Sequence, residues 1–448
     1  MTVQPNACLE ATIELLSSLT AWQSVADEPD EQRSLAAWLE AWLAEELEAE
    51  VILPVAQQPD DRPPLVHVRV DIGAPDTLVL YNMYDVMPAD PEGWQVDPFT
   101  GGIRRWPDKG DVFISRGAEN NKGPLAGMLT VVRELWESGR LTTNLEILLE
   151  GEEECGSGTL RRYLARTPCP VSPALAVLFP SLCEYGGGAP RLYLGFTGMT
   201  TGRLRVAGGD WGGPQAAIHA SNAAWIANPA WRLVQALAAI APAGRNGVLE
   251  TLPLDDAALH ILDELAPQFS IADELAMRKS QRLTISGDSR EALAFLLGSA
   301  VLNLSEIRTT PLPGRGIIPP LACAEFALRT PPGSSPERLL DAMRASLSHQ
   351  EIAGVELVVD DSYPGRRFSA DDAGVMELLN SYHQQQARPQ IWPWAPGCAP
   401  AYAFAPVAPA FLIGGLGYGG NAHGVNEFVT LRGLSRYTRS LRDWLLSF

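Results

Sequence analysis

The stretch "LVLYNMYDVMP", residues 78–88, reads as a buried strand that runs out into a loop carrying one acid, Asp85. The apolar runs "EVILPVA" and "PLVHVRV" before it read as strands too. After it come "LAGMLTVVRELWESG", a helix ended by Gly139, the strand "NLEILLEG", a short helical stretch from Leu160 and the strand "ALAVLF". Upstream, residues 5–18 and 31–48 space apolar positions three and four apart, as amphipathic helices do. Strands alternating with helices predict an α/β domain with a mixed, mostly parallel sheet flanked by helices. The ligand site is then expected at the carboxyl ends of the strands. Met83, Asp85, Glu152, Glu153 and Glu154 fall just past such ends.

Around Thr197 the texture changes to "MTTGRLRVAGGDWGGP", then a helix "PAWRLVQALAAIA", a strand "ACAEFALR", a helix "SPERLLDAMRASL" and a strand "VELVV". That is an α+β pattern. Past "DDSYPGRRF" the first texture returns, so an inserted α+β domain is expected, with residues 1–196 and 365–448 forming one domain and 197–364 the insertion. A chain of 448 residues exceeds what one core usually supports, which agrees with two domains.

The chain holds 34 basic and 53 acidic residues, a net charge of −19, which disfavours nucleic acid and anionic membrane surfaces as partners. No apolar run reaches the ~18 residues of a spanning helix. The start, "MTVQPNACLEATIELLSSL", lacks the basic and apolar regions of a secretory signal. Six cysteines without CxxC pairing fit a reduced protein, and a cytoplasmic location is expected.

Three loops carry chemistry. "EGEEECGS" sets three consecutive acids after a strand, "RGAENNKG" offers amides and a lysine between glycines, and "GGNAHGVNE" presents His423 among glycines. Consecutive carboxylates repel one another and call for a cation, a basic partner or water.

Together with "WQVDPFTGGI", these loops resemble, in order and spacing, the zinc exopeptidase and amidohydrolase family that includes aminoacylase, carnosinase, carboxypeptidase G and succinyl-diaminopimelate desuccinylase. The resemblance spans both ends of the chain and makes the inserted domain that family's lid, with a homodimer through it. It implies two zinc ions sharing a bridging aspartate. The histidine expected at the first zinc falls on Met83, while the aspartate that orients it survives as Asp85. The bridge falls on Asn120, and the later aspartate falls on Ser181, with Pro180 as an alternative match. The second-site glutamate and histidine survive as Glu154 and His423, and the glutamate acting on the attacking water survives as Glu153. In the lid, His219 matches the histidine that polarises the scissile carbonyl, and Arg329 the arginine that grips a substrate carboxylate. "WAPGCAP" puts Trp394 and Cys398 where the family has a substrate-binding arginine and serine.

Methionine sulfur is a poor zinc donor, and replacing two carboxylates by an amide and a hydroxyl removes the charge that lets two divalent ions sit together. A zinc pair is therefore not expected. Glu154 and His423, with the Asn120 amide oxygen as a weak third ligand, suit one zinc or none. Lys122 has two readings, a cation in the emptied site or a surface lysine. The expected activity is hydrolysis of an amide bond in a small peptide or N-acyl amino acid. The alternatives are a non-hydrolytic acyl-transfer or amide-forming enzyme, and a silent binding homologue.

Overall fold

The structure, a computed structural model, describes residues 7–241, 244–311 and 315–448. Residues 5 and 6, the start of the first expected helix, lie outside the described residues, and the helix itself runs Ala7–Thr20. The chain forms two units. One comprises Met1–Leu194, Phe368–Trp392 and Ala403–Phe448, and the other Gly195–Arg367 and Pro393–Tyr402.

The first unit is built on a six-stranded sheet in the order Glu50–Leu53, Val66–Val70, Asn144–Glu150, Thr77–Met83, Val177–Pro180, Phe411–Gly414. The first two pairings are antiparallel and the other three parallel, the mixed, mostly parallel sheet that the alternation predicts. Leu78 to Met83 are all buried, as a central parallel strand covered on both faces requires. The helix Lys122–Glu137 packs on that strand and touches both Ala7–Thr20 and Leu431–Leu445. Leu434, Tyr437, Thr438, Leu441 and Trp444 form the buried stripe of the last helix, spaced three and four apart.

Register decides where the loops go. Met83 lies opposite Glu150 and Gly414 opposite Pro180, so the parallel strands deliver their following loops to one end of the sheet. The Tyr84 N–H continues the ladder to Glu150 O at 2.8 Å. A small antiparallel sheet of Gly102–Trp106, Gly110–Ile114, Phe428–Thr430 and Gly419–Gly420 was not evident from the sequence pattern. It pairs Ile114 with Phe428, and so brings the loop after Ile114 beside the loop that carries His423.

The second unit is α+β. Its antiparallel sheet has the order Val248–Thr251, Ser299–Thr310, Leu321–Thr330, Gly198–Ala207, Val355–Tyr363. Helices Pro229–Ile240 and Pro336–His349 bury Leu233, Ala236, Leu340 and Met343 against Leu204, Phe326 and Leu328. Residues 393–402 group with this unit, a return that the linear reading of 365–448 as one piece does not contain. Backbone bonds from Ala395 N to Gly195 O (2.9 Å) and from Thr197 N to Gly397 O (3.2 Å) hold them there. Among the described residues no helix is long and apolar enough to cross a membrane.

Gly151, the first residue of the acidic loop, has no room for a side chain. A Cβ there would stand 2.5 Å from the Tyr84 ring, and that ring is fixed by a 2.5 Å bond from its hydroxyl to Pro64 O. Gly151→Ala is expected to destabilise the protein by about 1–3 kcal/mol in urea denaturation, the usual cost of overpacking, and an unchanged midpoint would show that Tyr84 moves freely.

Candidate functional site

Met83 ends the central strand with its side chain buried and its N–H donated to Asn82 Oδ1 at 2.8 Å. Two residues on, Asp85 is also buried. Its Oδ2 accepts the Glu154 N–H at 3.0 Å, but Oδ1 has no hydrogen-bond partner among the described residues. An ionised carboxylate with one unpaired oxygen in a dry setting is costly. Burial accordingly pushes Asp85 up to about 7.

Asn120, Glu154 and His423 meet. Asn120 Nδ2 donates to Glu154 Oε1 at 2.9 Å and lies 3.1 Å from His423 Nε2, which itself lies 3.0 Å from Glu154 Oε1. The bond to Glu154 raises the His423 pKa, favouring the imidazolium. Two donors thus converge on one carboxylate oxygen. His423 has a left-handed backbone (φ 62°), uncommon for a side chain of this kind, as do its neighbours Asn421 and Asn426. The loop is held in that shape by Gly424 N to Asn421 O (2.7 Å) and Gln95 N to Asn426 Oδ1 (2.7 Å).

The Asn120 side chain turns its amide nitrogen to Glu154, rather than the oxygen expected of a weak ligand, with His423 Nε2 3.1 Å away. Ser181 is also engaged, donating to Asn121 Oδ1 at 3.1 Å. Asn121 Nδ2 in turn donates to Asn82 Oδ1 at 2.7 Å, and Asn82 Nδ2 to Pro180 O at 3.1 Å. Among the described residues no group of three or more His, Cys, Asp or Glu is placed to hold a metal. The residues present do not fit a zinc pair: where the resemblance expects ligands, Met83 is a buried thioether, and Asn120 and Ser181 offer an amide and a hydroxyl in place of carboxylates.

Lys122 follows neither of its two readings. It is fully buried and donates to Leu19 O (3.0 Å) and Trp22 O (2.7 Å), carbonyls at and beyond the end of the first helix. Burial lowers its pKa to about 7.

Two residues that the sequence reading passed over organise the site. Glu427 is buried, and its Oε1 accepts the N–H groups of Glu119 (3.0 Å) and Asn120 (2.9 Å). Its Oε2 accepts Arg116 Nη1 at 2.5 Å, a buried ion pair. The only sequence signal was their place in two quoted loops, "RGAENNKG" and "GGNAHGVNE". Glu150, also buried, accepts the Tyr81 hydroxyl. Burial pushes Glu150 and Glu119 up to about 8. Glu153 is half-buried, and burial with the charges of Asp85, Glu154 and Glu150 holds its carboxyl well above the usual range.

In the second unit, His219 is exposed, and its Nδ1 accepts the Ser221 N–H at 3.2 Å. Arg329 Nη1 donates to Cys398 Sγ at 2.8 Å, and Thr197 Oγ1 lies 3.5 Å from the same sulfur. Trp394, expected to line the substrate subsite, is instead buried: its indole N–H goes to Leu297 O at 3.1 Å and the Arg367 guanidinium covers its ring at 5.5 Å. Its role in this structure is packing.

With this geometry in hand, the profile of peptidase family M20/M25/M40 matches residues 79–447. The chain belongs to this family. The M20-type fold is shared with a metallo-carboxypeptidase of Sulfolobus solfataricus, at TM-score 0.83 and 21% identity, covering 97% of this chain and 98% of the other. Among curated relatives, the Cys-Gly metallodipeptidase DUG1 of Candida albicans is 26% identical over 321 residues, 67% of this chain and 64% of the relative. The cysteinylglycine-S-conjugate dipeptidase of Corynebacterium striatum is 33% identical over 148 residues, 32% of this chain and 30% of the relative. The aligned stretches thus span less than two thirds of either relative. Within the M20 family, this chain has a peptidase and amidohydrolase fold around a degenerate metal site.

The raised carboxyl pKa values carry a definite sign. Asp85 near 7 and Glu119 and Glu150 near 8 hold protons in the folded state that the unfolded chain releases at about pH 4. Their contribution to stability is therefore lost as pH rises from about 4 toward 8. The melting temperature of the native protein is expected to fall between pH 5 and pH 8, and that of Asp85→Asn to fall less. Equal slopes for the two proteins would show that Asp85 titrates normally.

Proposed function

We propose that this M20 chain processes an amide bond in a small peptide or N-acyl amino acid, with at most one metal, and that Glu153 handles the proton transfers. The observation that carries the reading is the half-buried Glu153 carboxyl, held in the acidic loop with its proton affinity raised by burial and by Asp85, Glu154 and Glu150. A group that takes a proton from the attacking water and returns it to the leaving amine works best with a pKa near the operating pH. The dipeptidase activities named for the curated relatives support a short substrate.

In the second unit we assign Arg329 to the substrate's carboxylate, with Cys398 Sγ as the acceptor that holds the guanidinium until a carboxylate replaces it. His219 is assigned to polarise the carbonyl. Because its Nδ1 accepts a backbone N–H, the neutral ring carries its proton on Nε2, where it can donate to an oxyanion.

The Asn120 amide, closing on Glu154 and His423, favours a second reading: a binding homologue without chemistry. The two readings separate by experiment. Against a panel of dipeptides and N-acyl amino acids, turnover in the native protein is expected to rise with pH above neutrality, to survive EDTA, and to fall by about 100-fold or more in Glu153→Gln with the fold intact. Unchanged turnover in that variant would remove Glu153 from the mechanism. Ligand-induced thermal shifts without turnover would favour the binding reading.

We further propose a homodimer through the second unit. Val248–Thr251 covers only Ser299 to Val301 of the long strand Ser299–Thr310, so among the described residues the segment from Asn303 onward has a neighbour on one side only. Leu304 and Ile307 are exposed there, at 39% and 58%. An antiparallel register that sets Ile307 against its own copy also sets Glu306 against Arg308 of the partner subunit, which makes the edge self-complementary in charge. Exposed Trp231 and Val234, one helical turn apart, add apolar surface in the same unit. Light scattering is expected to give a dimer for the native chain and a monomer for Ile307→Lys; a native monomer at micromolar concentration would remove the assignment.

A further inference from the structure

The first unit contains a cavity of about 410 Å³ between the segment 53–65 and the helix Gly158–Leu164 with the turn after it. Its charged lining residues are Arg62, Arg162 and Arg166, and no carboxylate lines it. In a chain with a net charge of −19, three guanidinium groups around one cavity without an acid among its walls stand out.

The three arginines are poorly compensated. Among the described residues Arg62 pairs with Asp61 alone, 3.8 Å away and exposed, and surface pairs of this kind contribute little. Arg162 donates to the Thr159 hydroxyl at 3.1 Å, and the Arg166 guanidinium stacks over the Tyr163 ring at 4.9 Å. Neither has a carboxylate partner among the described residues. Stacking leaves the edge of a guanidinium, where its N–H donors lie, available to an oxyanion.

The walls are fixed from behind. Gln58 clamps the segment by donating to Leu65 O at 2.6 Å and accepting the Leu65 N–H at 2.9 Å. The Tyr163 hydroxyl is 2.8 Å from His67 Nδ1, and His67 Nε2 is 2.9 Å from Glu146, whose other oxygen takes Arg69 at 2.8 Å. This buried chain anchors the ring on which Arg166 rests. A cavity with anchored walls and several convergent donors of one sign is suited to a ligand of opposite sign.

We propose that this cavity is a binding site for a small polyvalent oxyanion, a phosphoryl compound or a polycarboxylate, held by Arg62, Arg162 and Arg166. The site is separate from the acid and amide cluster and does not depend on the amide-processing reading. The helix that supplies Arg162 continues directly from the loop of Glu153 and Glu154, and the Thr159 N–H donates to Glu152 at 2.6 Å.

Calorimetric titration of the full chain with inorganic pyrophosphate and with citrate, at constant ionic strength, tests the proposal. Saturable binding of either probe is expected, weakened about tenfold or more in the double variant Arg162→Gln/Arg166→Gln and also weakened in Arg62→Gln. Preference for pyrophosphate assigns a phosphoryl ligand, and preference for citrate a polycarboxylate. These arginines are exposed, so circular dichroism and melting temperature without probe should match the native chain. No saturable binding of either probe, or equal affinity in native and variant proteins, overturns the proposal.

Discussion

Carboxylates crowded at the ends of parallel strands repel one another unless something positive stands between them, and the rest of this structure follows from how that repulsion is offset. Asp85, Glu119, Glu150, Glu153, Glu154 and Glu427 all lie in or beside the loops that the central strands deliver to one end of the sheet. Three devices offset the charge here. Arg116 neutralises Glu427, His423 and the Asn120 amide share Glu154, and burial raises the proton affinity of Asp85, Glu119 and Glu150. A site offset by protons responds to pH where one offset by metals would respond to chelators.

The change at Asn120 is chemically small and structurally decisive. An amide in place of a carboxylate exchanges an acceptor for a donor, and here that donor bonds Glu154 Oε1 beside His423, which bonds the same oxygen. Methionine in place of histidine has the opposite effect on its neighbour. Its thioether fills space but offers no N–H, and among the described residues Asp85 Oδ1 has no partner. The two substitutions leave one half of the cluster satisfied and the other half strained. The strained half is where Glu153 carries its raised proton affinity.

Much of this was legible from residue order. The alternation of apolar runs and amphipathic stretches gave the α/β class, and the quoted loops gave family membership, because both depend on local spacing. The acid in each loop was placed past a strand end for the same reason. What escaped was everything that depends on long-range pairing. The small antiparallel sheet includes strands of two and three residues, too short for a period to register, and its decisive pairing joins Phe428–Thr430 to Val112–Ile114, far apart in sequence. The Glu427–Arg116 clamp joins residues 311 apart. Lys122 looked like a loop lysine because nothing nearby in sequence shows that two helix-end carbonyls await it. The partners of buried Trp394 were hidden for a related reason: Leu297 and Arg367 come from other parts of the second unit.

The amino-acid sequence by itself determined which atoms are available at the cluster: a thioether, an amide and a hydroxyl where anionic or imidazole ligands would bind zinc. Donor chemistry is a property of the residue, so no folding can restore it. Only the tertiary structure decided what those atoms do instead. Asn120 and His423 lie 303 residues apart and come within hydrogen-bond distance through strand register and one short sheet. Burial and partner geometry, which set the protonation of every acid in the cluster, do not exist until the chain has folded.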